Sequence, residues 1–346
     1  MDVEPTTLAD VIRLIAEVLR QHYGVDPEPL LAKAGIDAHR ADVSGSRVSR
    51  EAILQLWELA AAATHDPSVG LVIGSKVRAT TFYALGMAFL TCETLTESLE
   101  ILCRYYRVIA TVPLELKLQA GAKVSRLEIA YIDPAYPLAP IPFDSFIASI
   151  VGLCRLAMSP EFNPVEVRLA FADNHRGGDY EALFKAPVVF GTNKNALVFA
   201  TDELNVPLPG RSADVLHASD RILDNYLAAL NPDEISTEVR KLLLTLLPTG
   251  HANQELVSKR LHMSRSTLHR RLRDENTNYK ELLDDTRRSL AIEYVREGSY
   301  ALGYIAFLLG FSDQSNFSRA FRRWTGQSPK AFREPSARAA DDAGSH

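Results

Sequence analysis

Near the C-terminus, two short stretches set polar and basic side chains opposite an apolar stripe. From Ser264 to Arg273, Leu268 and Leu272 share one side of a helix, and at ~100° per residue Ser266, His269, Arg270 and Arg273 fall on the other. From Gln314 to Trp324 the inner side is Phe317, Ala320, Phe321 and Trp324, which leaves Ser315, Arg319 and Arg322 outward, flanked by Gln314, Asn316, Ser318 and Arg323. Both outer faces begin with short polar residues and carry arginines one to two turns later. A guanidinium offers guanine a bidentate fork, Gln and Asn amides match adenine, and arginines further along a helix meet phosphates. The chemistry open to such faces is reading the major groove of duplex DNA. Taken singly, each is equally a solvated helix. The same arrangement twice, with Arg270 and Arg319 in equivalent places, favours recognition.

The elements that must position these faces repeat as well. Leu256-Val257 to Leu261 leads into His262-Met263-Ser264 and then the first basic helix; Ile305-Ala306 to Leu309 leads into Gly310-Phe311-Ser312 and then the second. Helix, short turn, helix is the helix-turn-helix pattern. Ser264 and Ser312 are expected at the N-caps, where a hydroxyl accepts from an orphan backbone N–H. His262 and Gly310 fall in the turns, where a left-handed backbone is usual; Gly adopts it freely, whereas for His it costs ~1 kcal/mol. Charge supports the same reading. Residues 250–335 carry 15 Lys+Arg against 10 Asp+Glu, a net of +5, whereas residues 1–249 carry 22 against 31, a net of −9. A basic block on an acidic body suits a module that meets a polyanion.

The rest of the chain bounds the architecture. At 346 residues, two or three domains are expected, and 47% hydrophobic with 23% charged residues is globular composition, which excludes disorder and disulfide miniproteins. No apolar run reaches the ~18–20 residues of a membrane span, the longest candidates being of the order of Ala301 to Phe311. Met1-Asp2-Val3-Glu4 lacks a basic leader, and Cys92, Cys103 and Cys154 form no CxxC, so a reduced cytoplasm is expected. Helices are predicted over Leu8–Leu19, from Ser49 through Trp57 and Ala61, over Glu93–Val108 and over Phe143–Met158. Leu114–Leu118 and Ser125–Ile132 alternate about Ala120-Gly121-Ala122 as a hairpin; Val165–Ala170 and Ala196–Ala200 read as strands separated by the turn-rich segment 173–178. After Pro207-Leu208-Pro209-Gly210 every signal is helical. The expected fold is an α+β domain over 1–210, a linker helix over 211–232 stopped by Asn231-Pro232, an all-α domain with two helix-turn-helix units over 233–335, and a disordered tail over 336–346.

At the stretch Tyr300 to Arg333, with its core Ile-Ala-Phe-Leu-Leu-Gly-Phe-Ser-Asp-Gln-Ser-Asn-Phe-Ser-Arg-Ala-Phe, the sequence resembles the signature of AraC/XylS-type transcriptional regulators. Ser264-Arg-Ser-Thr-Leu-His-Arg-Arg-Leu resembles that family's other helix-turn-helix, although His262 departs from its usual turn glycine. The resemblance implies two units joined by a long helix, here Tyr279–Arg296. It puts base contacts on Ser266, His269, Arg270, Gln314, Ser315, Asn316 and Arg319, with Arg273, Arg322 and Arg323 beside them. Tyr83 to Leu99 and Arg104-Tyr105-Tyr106-Arg107 are similar to the effector domain of the ornithine-regulator-like subgroup, a domain type called arabinose-binding although its effectors vary. The resemblance further implies a sequence-specific activator in the cytoplasm, a homodimer, with promoter DNA, a small-molecule effector and RNA polymerase as partners. The alternative is an N-terminal domain that serves only oligomerisation or protein contact.

Arg104 and Arg107 with Tyr105 and Tyr106 are candidates for an effector pocket, arginine for a carboxylate and tyrosine for an apolar body; helix packing is the competing reading. His175 beside Asp173 has no second ligand nearby and reads as structural. The cysteines read as core fillers. No GxSxG, P-loop, HExxH or dinucleotide fingerprint is present, so no catalytic residue, metal site or cofactor is expected. An enzyme with a fused DNA-binding module is disfavoured, since no cysteine sits in a Pro-Cys-His or zinc-ligand context. A pure adaptor has no use for two arginine-bearing recognition helices.

Overall fold

The expected hairpin forms: β3 (Leu114–Gln119) lies antiparallel to β4 (Val124–Tyr131), with Leu116 opposite Ile129 and Leu118 opposite Leu127. The pleat sends Ser125, Leu127 and Ile129 inward. In this computed structural model the described residues are 5–38, 43–173, 176–230, 235–250, 252–275 and 277–333. The hairpin is one edge of a five-stranded sheet of order β3-β4-β7-β5-β6, where β5 is Glu166–Arg168, β6 is Val188–Val189 and β7 is Asn195–Ala200. Only β5 and β6 run parallel. β7 is central and buried along nearly its whole length, which explains its unbroken apolar run. A second, two-stranded sheet pairs β1 (Thr6–Leu8) with β2 (Arg47–Ser49).

The chain divides into two units, Met1–Leu227 and Ala228–His346. In the first, helices Leu95–Ile109 and Pro140–Ala157 pack with the sheet over a core that includes Phe89, Leu99, Leu102, Phe143, Val151 and Phe199. Ser49 and Thr94 cap their helices, accepting from Ala52 N and Glu97 N. Pro140–Ala157 is long and apolar enough to cross a membrane, but 67% of it is buried inside this unit. It lies so close to helix Val69–Ser75 that a Cβ on Gly70 or Gly74 would stand 2.3 Å from the carbonyl oxygen of Ile141 or Ser145. It also carries a buried polar network: Asp144 accepts from the Arg176 guanidinium at 3.0 Å and from the Tyr180 hydroxyl at 2.6 Å.

One expectation needs correcting here. Gly177-Gly178 is not a turn but the start of helix Gly177–Phe184, whose first N–H groups are met by Asp173 Oδ1. The linker helix forms as Ala213–Leu230; as its broad apolar stripe requires, it buries Leu216 and Leu223 in the core of the first unit and packs Tyr226 and Leu227 against it. The expectations at His175, at Asn231-Pro232 and over 336–346 lie outside the described residues.

Every described element of the second unit is a helix. Helix Ile235–Leu246 is followed by Gln254–Arg260, Arg265–Asp274, the long helix Tyr279–Glu297, Leu302–Leu308, Gln314–Thr325 and Pro329–Arg333. It has two cores. Val239, Leu243, Val257, Leu268, Leu272 and Leu282 form one; Ala291, Ile292, Val295, Ile305, Phe317 and Phe321 are in the other. The long helix supplies Leu282 to the first and Ala291, Ile292 and Val295 to the second, so a single rigid element seats both.

Candidate nucleic-acid interface

The first recognition helix, Arg265–Asp274, is held by capping at its start. Ser264 accepts from Thr267 N at 3.1 Å, and its hydroxyl also meets Ser266 Oγ at 2.9 Å and Thr267 Oγ1 at 2.8 Å. Leu268 and Leu272 are fully buried. The opposite face presents Ser266, His269, Arg270 and Arg273, all exposed. Beyond its C-terminus, Glu275 turns its carboxylate to Ile235 N at 2.8 Å and Ser236 N at 2.9 Å, which ties the helix's far end to the start of Ile235–Leu246. In the turn before it, His262 takes φ +53°, the left-handed conformation expected of that position.

The second recognition helix, Gln314–Thr325, begins one residue later than the repeat suggested. Its N-cap is Asp313, not Ser312: the Asp313 carboxylate accepts from Asn316 N at 2.7 Å. The two copies align at His262 and Gly310, but the turn is one residue longer in the second, so Leu268 matches Phe317 and Arg270 matches Arg319. Ser312 donates to Asp313 and accepts from the Asn316 amide at 2.6 Å. The Asn316 side chain is thus held by the cap, with its other end accepting from the Arg319 guanidinium. The backbone amide of Asn316 holds the Asp313 carboxyl below the usual carboxylate range. Gln314, Ser315, Arg319, Arg322 and Arg323 are exposed, whereas Asn316 is half-buried.

The long helix grips this second helix-turn-helix at two points. Arg287 donates to the carbonyl oxygens of Leu309 and Gly310, both at 2.8 Å, and lies 4.7 Å from the Phe311 ring. Gly310 has φ +68°, and a Cβ there would stand 3.3 Å from the Arg287 guanidinium. One turn earlier on the long helix, Asp284 accepts from Arg323 at 2.9 Å and from the Trp324 indole at 3.4 Å. Arg323 is therefore tethered, while Arg270, Arg273 and Arg322 make no hydrogen bond or ion pair among the described residues. Both faces consequently offer uncommitted guanidinium groups at a polar surface.

The four residues singled out for an effector separate. Tyr105 is buried in the core and donates to Asp224 at 2.9 Å, and Arg104 lies over its ring, 3.9 Å from the same carboxylate. Tyr106 alone of the four lines an apolar cavity, donating to Val112 O at 3.0 Å and accepting from Leu114 N at 3.1 Å. Arg107 is half-buried near the end of the same helix. None of the three cysteines is in a disulfide among the described residues, and burial pushes the thiols of Cys103 and Cys154 up to about 12, which leaves these two as neutral packing groups. Arg50 and Tyr131, which share the cavity wall with Tyr106, carried no signal in the sequence, because they come together only through the tertiary fold.

Residues 24–208 match the family model for the arabinose-binding domain of AraC transcription regulators, and residues 257–335 match a helix-turn-helix domain. The chain is 29% identical over 338 residues to the ornithine utilization regulator of Pseudomonas aeruginosa, covering 96% of this chain and 97% of that protein. Over 323 residues it is 27% identical to the HTH-type transcriptional regulator VirS of Mycobacterium tuberculosis, covering 91% and 93%. Among solved structures it is similar to the transcriptional regulator CdpR from Pseudomonas aeruginosa, with 23% identity, a TM-score of 0.44 and coverage of 89% of this chain and 96% of that one.

Proposed function

Because the chain belongs to the AraC family of transcription regulators, with an arabinose-binding-type domain ahead of a helix-turn-helix DNA-binding domain, we propose that one protomer reads two successive major-groove segments of its promoter. The observation that carries this is a pair of recognition faces, Ser266/His269/Arg270 and Gln314/Ser315/Arg319, on helices cored against one long helix. Two different faces in one chain specify an asymmetric site, unlike the palindrome of a dimer with one unit per chain. Arg270 and Arg319 read base edges, Gln314, Ser315, Ser266 and His269 assist them, and Arg273 and Arg322 meet phosphates. Asn316 positions Arg319 through its side-chain oxygen. The site centres then lie ~34 Å apart, one helical turn of DNA. Footprinting of the full chain on its own promoter tests this: two protected patches about ten base pairs apart per bound protomer are expected, and one patch per protomer overturns it.

The N-terminal unit in this proposal binds a small effector, carries the dimer contact and works in the cytoplasm, where the regulator recruits RNA polymerase as an activator. The relative named transcriptional activator CfaD of Escherichia coli, 34% identical over 77 residues, supports the direction of control. Effector state reaches the DNA-binding unit through helix Ala213–Leu230, at whose end the chain passes from one unit to the other. That helix is anchored on the effector unit by Tyr226, whose hydroxyl donates to Gly45 O at 2.6 Å, and by Asp224, which accepts from Tyr105. Tyr83, in a strained backbone conformation at φ +55°, packs against Tyr226 with ring centroids 5.3 Å apart. Strain of this kind persists only where the surroundings hold it, and it gathers at switch regions.

A further inference from the structure

Inside the first unit lies a cavity of about 130 Å³. Its walls come from several parts of the chain, including Trp57, Phe82, Ile109, Val112 and Phe146, and they are overwhelmingly apolar. Arg50 is the one cation among the described residues of the wall, and no carboxylate stands with it there. Arg50 also lines the adjoining outer cleft with Glu51 and Glu58, so it stands between the apolar interior and the surface. Its guanidinium has one protein hydrogen-bond acceptor among the described residues, Pro137 O at 3.3 Å, and it lies 5.4 Å from the Tyr136 ring. Four of its five donors are therefore uncommitted. Tyr131 shares the wall with a hydroxyl that makes no hydrogen bond among the described residues; burial pushes its phenol up to about 12, against the opposing field of Arg50. It stays a donor at any physiological pH.

These observations define a ligand by exclusion and by fit. A pentose needs a polar partner for each hydroxyl, yet Tyr106 is already bonded to Val112 and Leu114, and Ser149 to Gly74, which leaves only the Thr7 and Ser145 hydroxyls beside Arg50 and Tyr131 among the described side chains of an otherwise apolar wall. A zwitterionic amino acid needs an anion for its ammonium group, and the described wall has none. A cavity of this size suits a single-ring or short-chain apolar body, by comparison with a cavity of ~150 Å³ that takes up benzene. We propose that this cavity binds a small apolar carboxylate, its body among Trp57, Phe82 and Phe146 and its charge on Arg50 and Tyr131. The proposal rests on the effector reading above and gives it a site and a chemical class. It also gives a route: Tyr106 faces the cavity, and Tyr105, the neighbouring residue on the same helix, holds Asp224 of Ala213–Leu230.

Calorimetric titration of the full chain with phenylacetate and octanoate, each beside its amide and beside L-arabinose, tests the class. The acids are expected to bind about ten- to a hundredfold more tightly than their amides, and Arg50→Gln is expected to erase that preference. Val112→Trp, which fills the cavity from a half-buried position, is expected to abolish binding while thermal melting and effector-free DNA affinity remain those of the unaltered chain. Neither acid binding, acids and amides binding alike, or acid binding that survives both substitutions overturns the proposal. Arabinose binding that is indifferent to both substitutions also overturns it, and leaves the effector reading standing. Arg50-dependent acid binding with no change in DNA affinity does the reverse: the site stands, and control by this effector falls.

Discussion

Arg270, Arg319, Arg322 and Arg323 are alike in type and differ in what holds them. Arg270 and Arg322 are exposed and uncommitted, Arg319 is steadied by Asn316, and Arg323 is tied to Asp284. Arg270→Ala and Arg319→Ala should each cost ~1–3 kcal/mol of specific binding and relax preference at one base pair. Arg322→Ala should weaken all sequences alike and lower the salt slope by about one. Quantitative gel shifts on matched and mutated sites, run at several salt concentrations, separate the two kinds; unchanged base preference in Arg319→Ala would mean the helix faces another way. Asp313 adds a dependence on pH. Its carboxyl is lower in the folded chain than in the unfolded one, so its stabilising contribution is complete above the unfolded value of ~4 and is lost as pH falls through the folded value. Asp313→Asn keeps the cap and removes the charge, and should flatten the acid limb of the melting profile. Superimposable profiles for the two chains would deny the carboxylate that role.

At the scale of elements, helix Ala213–Leu230 divides into residues that hold the fold and residues placed to report on it. Leu223 is fully buried, so its replacement by Ser reports stability and says little about signalling. Tyr226 and Asp224 instead make polar contacts: the Tyr226 hydroxyl donates to Gly45 O and accepts from Arg47 in the β1–β2 region, and Asp224 meets Tyr105 and Arg104. Tyr226→Phe removes the hydrogen bond donated to Gly45 O and the longer one accepted from Arg47, about 1 kcal/mol each. It is expected to leave folding and effector-free DNA affinity nearly unchanged while shrinking the effector's influence on DNA binding. Fluorescence anisotropy with labelled promoter, with and without effector, reads this directly. A full effector response in Tyr226→Phe would show that the helix only completes the core.

Across the whole molecule, what could be read in advance was local. The recognition helices were legible because an apolar repeat, a cap and a turn residue all lie within a dozen positions, and the helix Ala213–Leu230 forms within the segment 211–232 expected for it. Ser312 and Asp313 are both good caps, and only the packing of Phe317 and Phe321 decides between them, so the second turn was read one residue short. The pairing of Asp144 with Arg176 and Tyr180 spans more than thirty positions, and the cavity wall gathers residues from Thr7 to Ser149. No periodicity encodes such meetings. The placement of Tyr105 inward and Tyr106 toward the cavity likewise depends on which side of their helix the sheet covers.

The long helix Tyr279–Glu297 has a consequence for how target promoters change over generations. If one protomer reads two grooves as proposed, both recognition faces are cored on one helical rod, and the distance and angle between them are set by the protein. Losing or gaining one base pair between the two half-sites turns the second groove by about a tenth of a full helical turn, and the rod cannot follow. Promoters under this regulator should therefore drift by base replacement within each half and resist insertions and deletions between them. A collection of its natural binding sites would then show variable letters at a constant spacing.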